Sequence, residues 1–444
     1  MSIPGLFRTA DGRNHVLIFT LVTSLFLLWA MCNGMIDVMD KHFQDLLHLT
    51  KAQSAWVQTA HYLGYFLMAL PAGWLAQKLG YKGGIIAGLL LVAAGCLWFI
   101  PATGIAQFWA FLVGVCAVSM GLTFLETIAN PYTTVLGAPQ FAAVRINTAQ
   151  TFNGVGWILG PLIGSRFFYS SEGAVAAQKT IWIPYAGIAV GVLLLAVVFA
   201  CVRMPDLGAP VEATIGTPRT EKKLWRRPHF CGAVVAQFLY VAAQAGVFSF
   251  FINYVVEETP ALSSTSFISW IAGGDRGVRQ ADGAWFISDA GGAALMSWAF
   301  GLFVLGRFTG AALLMRCSAH RLLGIYAALS VVLMVVIVMH LGWLSFAALL
   351  LSFFFMSIMF PTIFALGVYD LGSRAKWAAS FLVMAIMGGA ILPKLMGSIG
   401  DQHGMSAGFL VPLVCFAVIA LYGFLWPRLS GAKSLVGVTA GNCH

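Results

Sequence analysis

The stretch Ser119–Gly137, SMGLTFLETIANPYTTVLG, contains one formal charge, Glu126, and no other residue from Gly83 to Val144 carries one. That apolar context is long enough for two helices of roughly 20 residues, each crossing a bilayer. Glu126 is thereby placed at bilayer depth. An ionised carboxylate there costs about 2.5–3.5 kcal/mol on insertion scales, so it needs a partner, a proton or a watery cavity. Ser119, Thr123, Glu126, Asn130 and Thr133 are spaced 4, 3, 4 and 3 apart, on one face of a helix. A polar stripe on an apolar helix faces a protein interior or an aqueous pathway. The plainer alternative is a Glu hydrogen-bonded to a neighbouring helix, with no part in transport.

The whole chain has the same character. Of its 444 residues 60% are apolar and 9% charged, where soluble proteins carry roughly 25% charged residues. Apolar runs predict an all-α membrane protein of twelve transmembrane helices, near 14–39, 53–77, 83–103, 107–135, 147–169, 181–203, 230–256, 293–315, 320–341, 343–368, 376–397 and 406–427. The first run lacks a small-residue cleavage site and reads as a retained helix. The net charge of +9 sits in short clusters between runs, so it implies retention of Lys and Arg on the cytoplasmic side and not nucleic-acid binding. That bias puts both termini in the cytoplasm.

Pro205–Pro228 has four prolines, a basic cluster and no apolar run. It divides the chain into an N-terminal six-helix half (1–204), a cytoplasmic linker (205–229) and a C-terminal six-helix half (230–444). The halves echo each other: Pro131 and Pro161 recur as Pro361 and Pro393, offset by 230 and 232 residues, with Arg145 and Arg374 between them. Same-sense repeats of six spans predict a major-facilitator architecture with its substrate site between the halves, near the midplane. The connection Glu257–Asp289 is long and reads as an outer surface loop, with a lid as the alternative.

Several motifs are missing. The eight cysteines form no CxxC pair and the nine histidines show no HExxH spacing, so no metal site is expected. His61, in mid-span, reads as a hydrogen-bonded packing residue sooner than a proton relay. No phosphate-binding Gly-rich loop or Ser-centred elbow is present, which removes support for ATP-driven transport and for an intramembrane hydrolase.

A second acid, Asp37, lies at the far part of the first span, with Asn33 one turn before it on the same face and Asp40 and Asp45 in the expected outer loop. Amides form a third group: Asn147, Gln150 and Asn153 on the fifth span, then Gln237 and Gln244 with Tyr240 on the seventh, followed by Ser249 and Asn253. Amides both donate and accept, so as a set they suit a hydroxyl-rich ligand, and singly they also serve as interhelical glue. Gly156, Gly160, Pro161 and Gly164 match a glycine–proline pattern of drug–proton antiporters or, equally, close helix packing. GWLAQKLGYK (residues 73–82) looks like the major-facilitator loop motif, with Gln77 where its acid usually stands. Arg307 is expected to snorkel to the inner boundary.

LETIANPYTTVLG followed by RINTAQTFNGVG closely resembles the fucose–galactose–glucose proton symporter family of the major facilitator superfamily. AQFLYVAAQAG, GRFTG, FMSIMFPTIFALG and ASFLVMAIMGGAI extend the resemblance over residues 15–425. It implies uptake of a monosaccharide with a proton, in a bacterial cytoplasmic (inner) membrane, by a monomer that needs no cofactor besides the coupling proton. It implies that Asp37 and Glu126 are the protonation pair and that Gln150 and Asn153 contact sugar. The sugar-facing set then also takes in Asn33, Gln237, Tyr240, Gln244, Asn253 and Phe360. Two positions depart from the family pattern: Gly34 stands where it has Asn, and Phe360 where it has Tyr. Both changes remove hydrogen-bonding groups from the expected cavity. A proton-driven exporter of drugs or metabolites on the same fold, and a sugar sensor that does not translocate, are the competing classes.

Overall fold

The computed structural model describes residues 7, 14–137, 142–168, 181–204, 224–272, 274–314, 317–369, 371 and 375–431. In chain order the first helices are α1 (Val16–Leu47), α2 (Lys51–Ser54), α3 (Trp56–Ile105), α4 (Phe108–Val135), α5 (Ala142–Phe167) and α6 (Trp182–Cys201). There follow α7 (Pro228–Ser249), α8 (Phe251–Glu258), α9 (Ser266–Ala272), the strands β1 (Val278–Ala281) and β2 (Ala284–Ile287), and α10 (Asp289–Leu314). The last are α11 (Ala319–Val338), α12 (Trp343–Met356), α13 (Met359–Gly367), α14 (Ala375–Met384), α15 (Gly388–His403), α16 (Met405–Gly408) and α17 (Leu410–Ser430). Each of the twelve predicted spans has a helical counterpart. Among the described residues ten helical segments are long and apolar enough to cross a membrane. The linker residues 205–223 lie outside the described residues, as do Arg316 and Arg374.

Two compact units result: residues 1–48 with 60–212, and residues 49–59 with 213–444. In the first, α1 runs past the predicted end of its span at 39. Asp40 and Asp45 therefore lie on the helix and not in a loop. The charges that signal a boundary in the sequence are accommodated locally: Lys41 pairs with Asp45 one turn on at 2.6 Å, and Asp40 is fully buried. The helix closes at His48, which takes the left-handed conformation.

The second and third predicted spans run together as α3, interrupted at Gly80, where φ is 66° and ψ −179°. Only glycine adopts that conformation without strain. Two residues on, the Lys82 ammonium donates to the carbonyls of Ala200 (2.7 Å) and Val202 (3.0 Å), satisfying the C-terminal end of α6. Arg145 is fully buried and donates from Nε to the Thr133 carbonyl at 2.9 Å near the end of α4. Lys82 of the loop motif and Arg145 thus each serve a helix end.

Contact between α1 and α5 is close enough to exclude side chains. A Cβ on Gly160 would stand 2.7 Å from the Met31 carbonyl, and one on Gly156 would collide with the Leu27 carbonyl. Gly34 is the reciprocal position, where a Cβ would lie 3.0 Å from Pro161 Cδ. The glycine–proline pattern is a packing device here. The absence of Asn at Gly34 also has a steric reason.

In the second unit three of the predicted spans are broken. The seventh bends at Phe250 between α7 and α8, the tenth at Ser357 between α12 and α13, and the eleventh carries a 3₁₀ turn, Ala385–Met387, between α14 and α15. Broken helices at bilayer depth require other groups to satisfy the freed backbone. At the α12–α13 break they are identifiable: the Tyr240 hydroxyl donates to the Met356 carbonyl at 2.8 Å, and Arg307 Nε donates to the Ser357 carbonyl at 3.4 Å. Arg307 also lies over the Phe303 ring. The Ser357 carbonyl and the Phe303 ring are thus its contacts.

The predicted surface loop after α8 is folded. Strands β1 and β2 form an antiparallel hairpin turned by Asp282 (φ 50°) and Gly283 (φ 78°), the residue pair that a type I′ turn favours. Arg279 ties the hairpin to the Val256 carbonyl at 3.2 Å, and Ser288 donates to the Arg276 carbonyl.

Candidate functional site

In the first unit α1 brings Asn33 (4% exposed) and Asp37 (6% exposed) into the interior. Asn33 Nδ2 donates to the Trp29 carbonyl at 2.9 Å, one turn back, which fixes the amide along the helix. Its Oδ1, Trp29 Nε1 and the Tyr65 hydroxyl are buried side by side, with Tyr65 within reach of both Asn33 and Trp29, and none of the three makes a hydrogen bond of good geometry. Glu126 is near enough for its charge to act on the Tyr65 hydroxyl. One donor, one acceptor and one hydroxyl therefore converge on each other, beside a carboxylate, without a well-aligned hydrogen bond among them. Poorly satisfied buried polar groups cost about 1–3 kcal/mol each, and chemically such a cluster can offer donors and acceptors to a polar ligand.

Trp29 and Tyr65 were not singled out by the sequence. The signal existed: Trp29, Asn33 and Asp37 are spaced four apart on one helix face.

The polar stripe on α4 is divided in its use. Ser119 and Thr123 donate to carbonyls of their own helix, Val115 and Ser119, each at 2.8 Å. Ser119 Oγ also lies 2.7 Å from His61 Nδ1. Since the hydroxyl has one proton, the arrangement that serves both contacts has His61 donating from Nδ1 to Ser119. His61 is a hydrogen-bonded packing residue. The side chains of Asn130 and Asn147 lie outside the described residues. On α5 Gln150 is partly exposed, while Asn153 is buried and turned toward the Phe26 carbonyl at 3.5 Å.

In the second unit Gln237, Tyr240 and Gln244 share one face of α7. Gln237 is fully buried, and neither end of its amide has a partner. Tyr240 holds the α12–α13 break, Gln244 reaches the same hydroxyl, and Phe360 meets the Tyr240 ring edge-on at 6.3 Å. Ser249 Oγ is buried and unpartnered further along. Asn253, on α8, stands apart from these and donates to Glu257 Oε1 at 3.1 Å. Among the described residues no group of three or more His, Cys, Asp or Glu is placed to hold a metal.

Broken apolar helices and an acid on a membrane-spanning helix with buried polar groups beside it suit a membrane carrier. The profile of the Major Facilitator Superfamily matches residues 18–369. The chain belongs to that superfamily. Within it, the chain is 35% identical over 434 residues to the L-fucose-proton symporter of Escherichia coli (strain K12), covering 93% of each. It is 31% identical over 430 residues to the glucose/galactose transporter of Brucella abortus biovar 1 (strain 9-941), covering 96% of this chain and 97% of the relative. Among solved structures it resembles the major facilitator transporter FucP in the outward conformation, with a TM-score of 0.65, 34% identity and coverage of 93% and 99%. A POT family transporter bound to a peptide conjugate is 10% identical with a TM-score of 0.73, a likeness of fold alone. These relatives are transporters and not enzymes.

Proposed function

We propose that this multi-pass membrane protein takes up a monosaccharide, L-fucose or a related hexose, together with a proton by alternating access. The observation that carries the reading is the Gln237 amide, fully buried with no partner at either end. In support stands the buried Trp29, Asn33 and Tyr65 group, whose polar atoms have only one another within reach and make no bond of good geometry. A polyhydroxylated ligand supplies complementary donors and acceptors, and an apolar drug does not. Similarity to sugar transporters over more than nine-tenths of the chain supports the same ligand class.

In this reading Asp37 takes a proton from the outer side and Glu126 couples it to sugar. Asn33, Gln150, Asn153, Gln237, Tyr240, Gln244, Asn253 and Phe360 form the wider sugar-contacting set, with Trp29 and Tyr65 added to it. Burial favours the neutral form of a carboxylic acid, so protonation removes the charge that opposes closure around an uncharged sugar. Coupling follows when proton and sugar together favour the closed state more than either alone. The protein works as a monomer in the bacterial inner membrane, with both termini cytoplasmic and the proton as its only coupling species.

The test is external pH in weakly buffered, de-energised cells after addition of L-fucose, D-galactose, D-glucose, D-mannose, D-arabinose or N-acetylglucosamine. Alkalinisation with one sugar is expected, because entering sugar carries protons inward. Radiolabelled uptake of a panel sugar that is indifferent to a pH gradient would overturn the coupling.

A further inference from the structure

We infer that helix α9, with Phe267 and Trp270, is a membrane-interface anchor: it lays these rings into the headgroup–acyl boundary of the bilayer beside Trp298 of α10. The three rings form a triangle with each pair of centroids 6.3 Å apart. All three are turned away from the protein, at 55%, 70% and 50% exposure. Phe267 and Trp270 are three apart on the outer face of α9, and Ile268 on its inner face is buried. Three large aromatic rings left in water would be an apolar patch without a covering partner.

The bilayer is that partner, by continuity. Trp298 heads an uncovered apolar stripe down α10, continued by Leu305 and Phe308 at spacings of 7 and 3, and on a membrane-spanning helix such a stripe faces lipid. Above Trp298 the first turns of α10 are covered instead by protein: Gly291 is packed against the Gly277 carbonyl, just before β1, and Gly292 against Ile252 of α8. From Trp298 to Leu314 the helix rises roughly 24 Å, against a hydrocarbon core of about 30 Å. Trp298 therefore stands near the hydrocarbon boundary on the side of the hairpin. Trp is enriched at that level because its ring is apolar and its N–H finds a polar partner there. Helix α9 packs on α10, and its two rings lie level with Trp298. The segment is a strap fastened to lipid, which disfavours its swinging as a free lid.

The experiment uses the full chain in liposomes containing phosphatidylcholine brominated on the upper acyl chain. The Trp270 emission is obtained by difference between wild type and Trp270→Phe, and Phe267→Trp adds a second reporter at the neighbouring position. Loss of most of both signals to the brominated lipid, with little effect of aqueous acrylamide, is expected. Quenching by acrylamide and not by bromine would place the helix in water and overturn the proposal. Resistance to both quenchers would also overturn it, by showing that protein, a second copy of the chain for instance, covers the rings.

Discussion

The carboxylate of Asp401, near the end of α15, accepts from two successive backbone N–H groups 349 and 350 residues earlier, Lys51 at 2.8 Å and Ala52 at 2.9 Å. Those are the first N–H groups of α2, which have no partner inside their own helix. Thr50 and Gln53 close the rest of the turn as a capping box. The Lys51 ammonium pairs with Glu257 Oε2 at 2.8 Å, and the Thr59 hydroxyl donates to the Ala390 carbonyl at 2.8 Å. Within the second unit, residues 49–59 are thus held to the part of the chain after residue 213 by these bonds. Asp401→Ala removes both acceptors. Hydrogen bonds to a charged group are worth about 1.5–3 kcal/mol, so amide exchange at residues 51 and 52 is expected to accelerate by roughly ten- to a hundredfold, measured by hydrogen–deuterium exchange. Asp401→Asn, which keeps one carbonyl oxygen, is expected to fall between.

Glu126→Gln preserves shape and removes the titrating group. If Glu126 couples proton to sugar, the variant still exchanges sugar across the membrane but no longer accumulates it against a gradient. The readouts are sugar-induced external alkalinisation, expected to vanish, and counterflow in liposomes, expected to persist. Accumulation equal to wild type under an imposed pH gradient would remove Glu126 from the mechanism.

The glycine contacts between α1 and α5 predict a sharp positional contrast. Gly156→Val drives a branched side chain into the Leu27 carbonyl and Ala30, and Gly34→Asn drives one into Pro161. Overpacking of this kind costs typically 1–3 kcal/mol. Gly187 and Gly191, on α6, have nothing within 4 Å of an added Cβ. Alanine there is expected to be neutral or to stabilise by about 0.5–1 kcal/mol through helix propensity. Thermal unfolding in detergent orders the variants. If Gly34→Asn proved as stable as wild type, the steric account of that residue would be wrong.

The fold was readable because each span had to be apolar for its whole length. The regions the sequence left wrong are those where polar residues are satisfied by partners that no local pattern announces. Helix α1 continues to Leu47 because Lys41 finds Asp45, and the tenth span breaks because Tyr240 and Arg307 hold the carbonyls of Met356 and Ser357. The attachment of residue 51 to residue 401 lies beyond any periodicity. Other features were present and passed over. Asp282-Gly283 between short alternating runs is a hairpin signal, and Trp29 shares the face of Asn33 and Asp37. Of the candidate site, the acids and amides were legible as residue types. Which amide is left without a partner is a matter of packing alone.

Gln237 offers the clearest separation of ligand binding from stability, because its amide is fully buried and unpaired at both ends. A buried polar group without partners destabilises the protein that carries it, and an apolar replacement of similar size removes that penalty. Gln237→Leu is therefore expected to unfold at the wild-type temperature or above it, and to lose sugar-induced alkalinisation. Tyr240→Phe is the counterpart: its hydroxyl serves the Met356 carbonyl, so the variant is expected to lose about 1–3 kcal/mol of stability. The pair is read together by thermal unfolding and by transport at several sugar concentrations. A raised apparent KM or abolished transport in a stable Gln237→Leu protein identifies the amide as a ligand contact. Unaltered transport in that variant would mean that the unpaired amide serves no ligand, and the reading of the orphaned groups as a sugar site would fall.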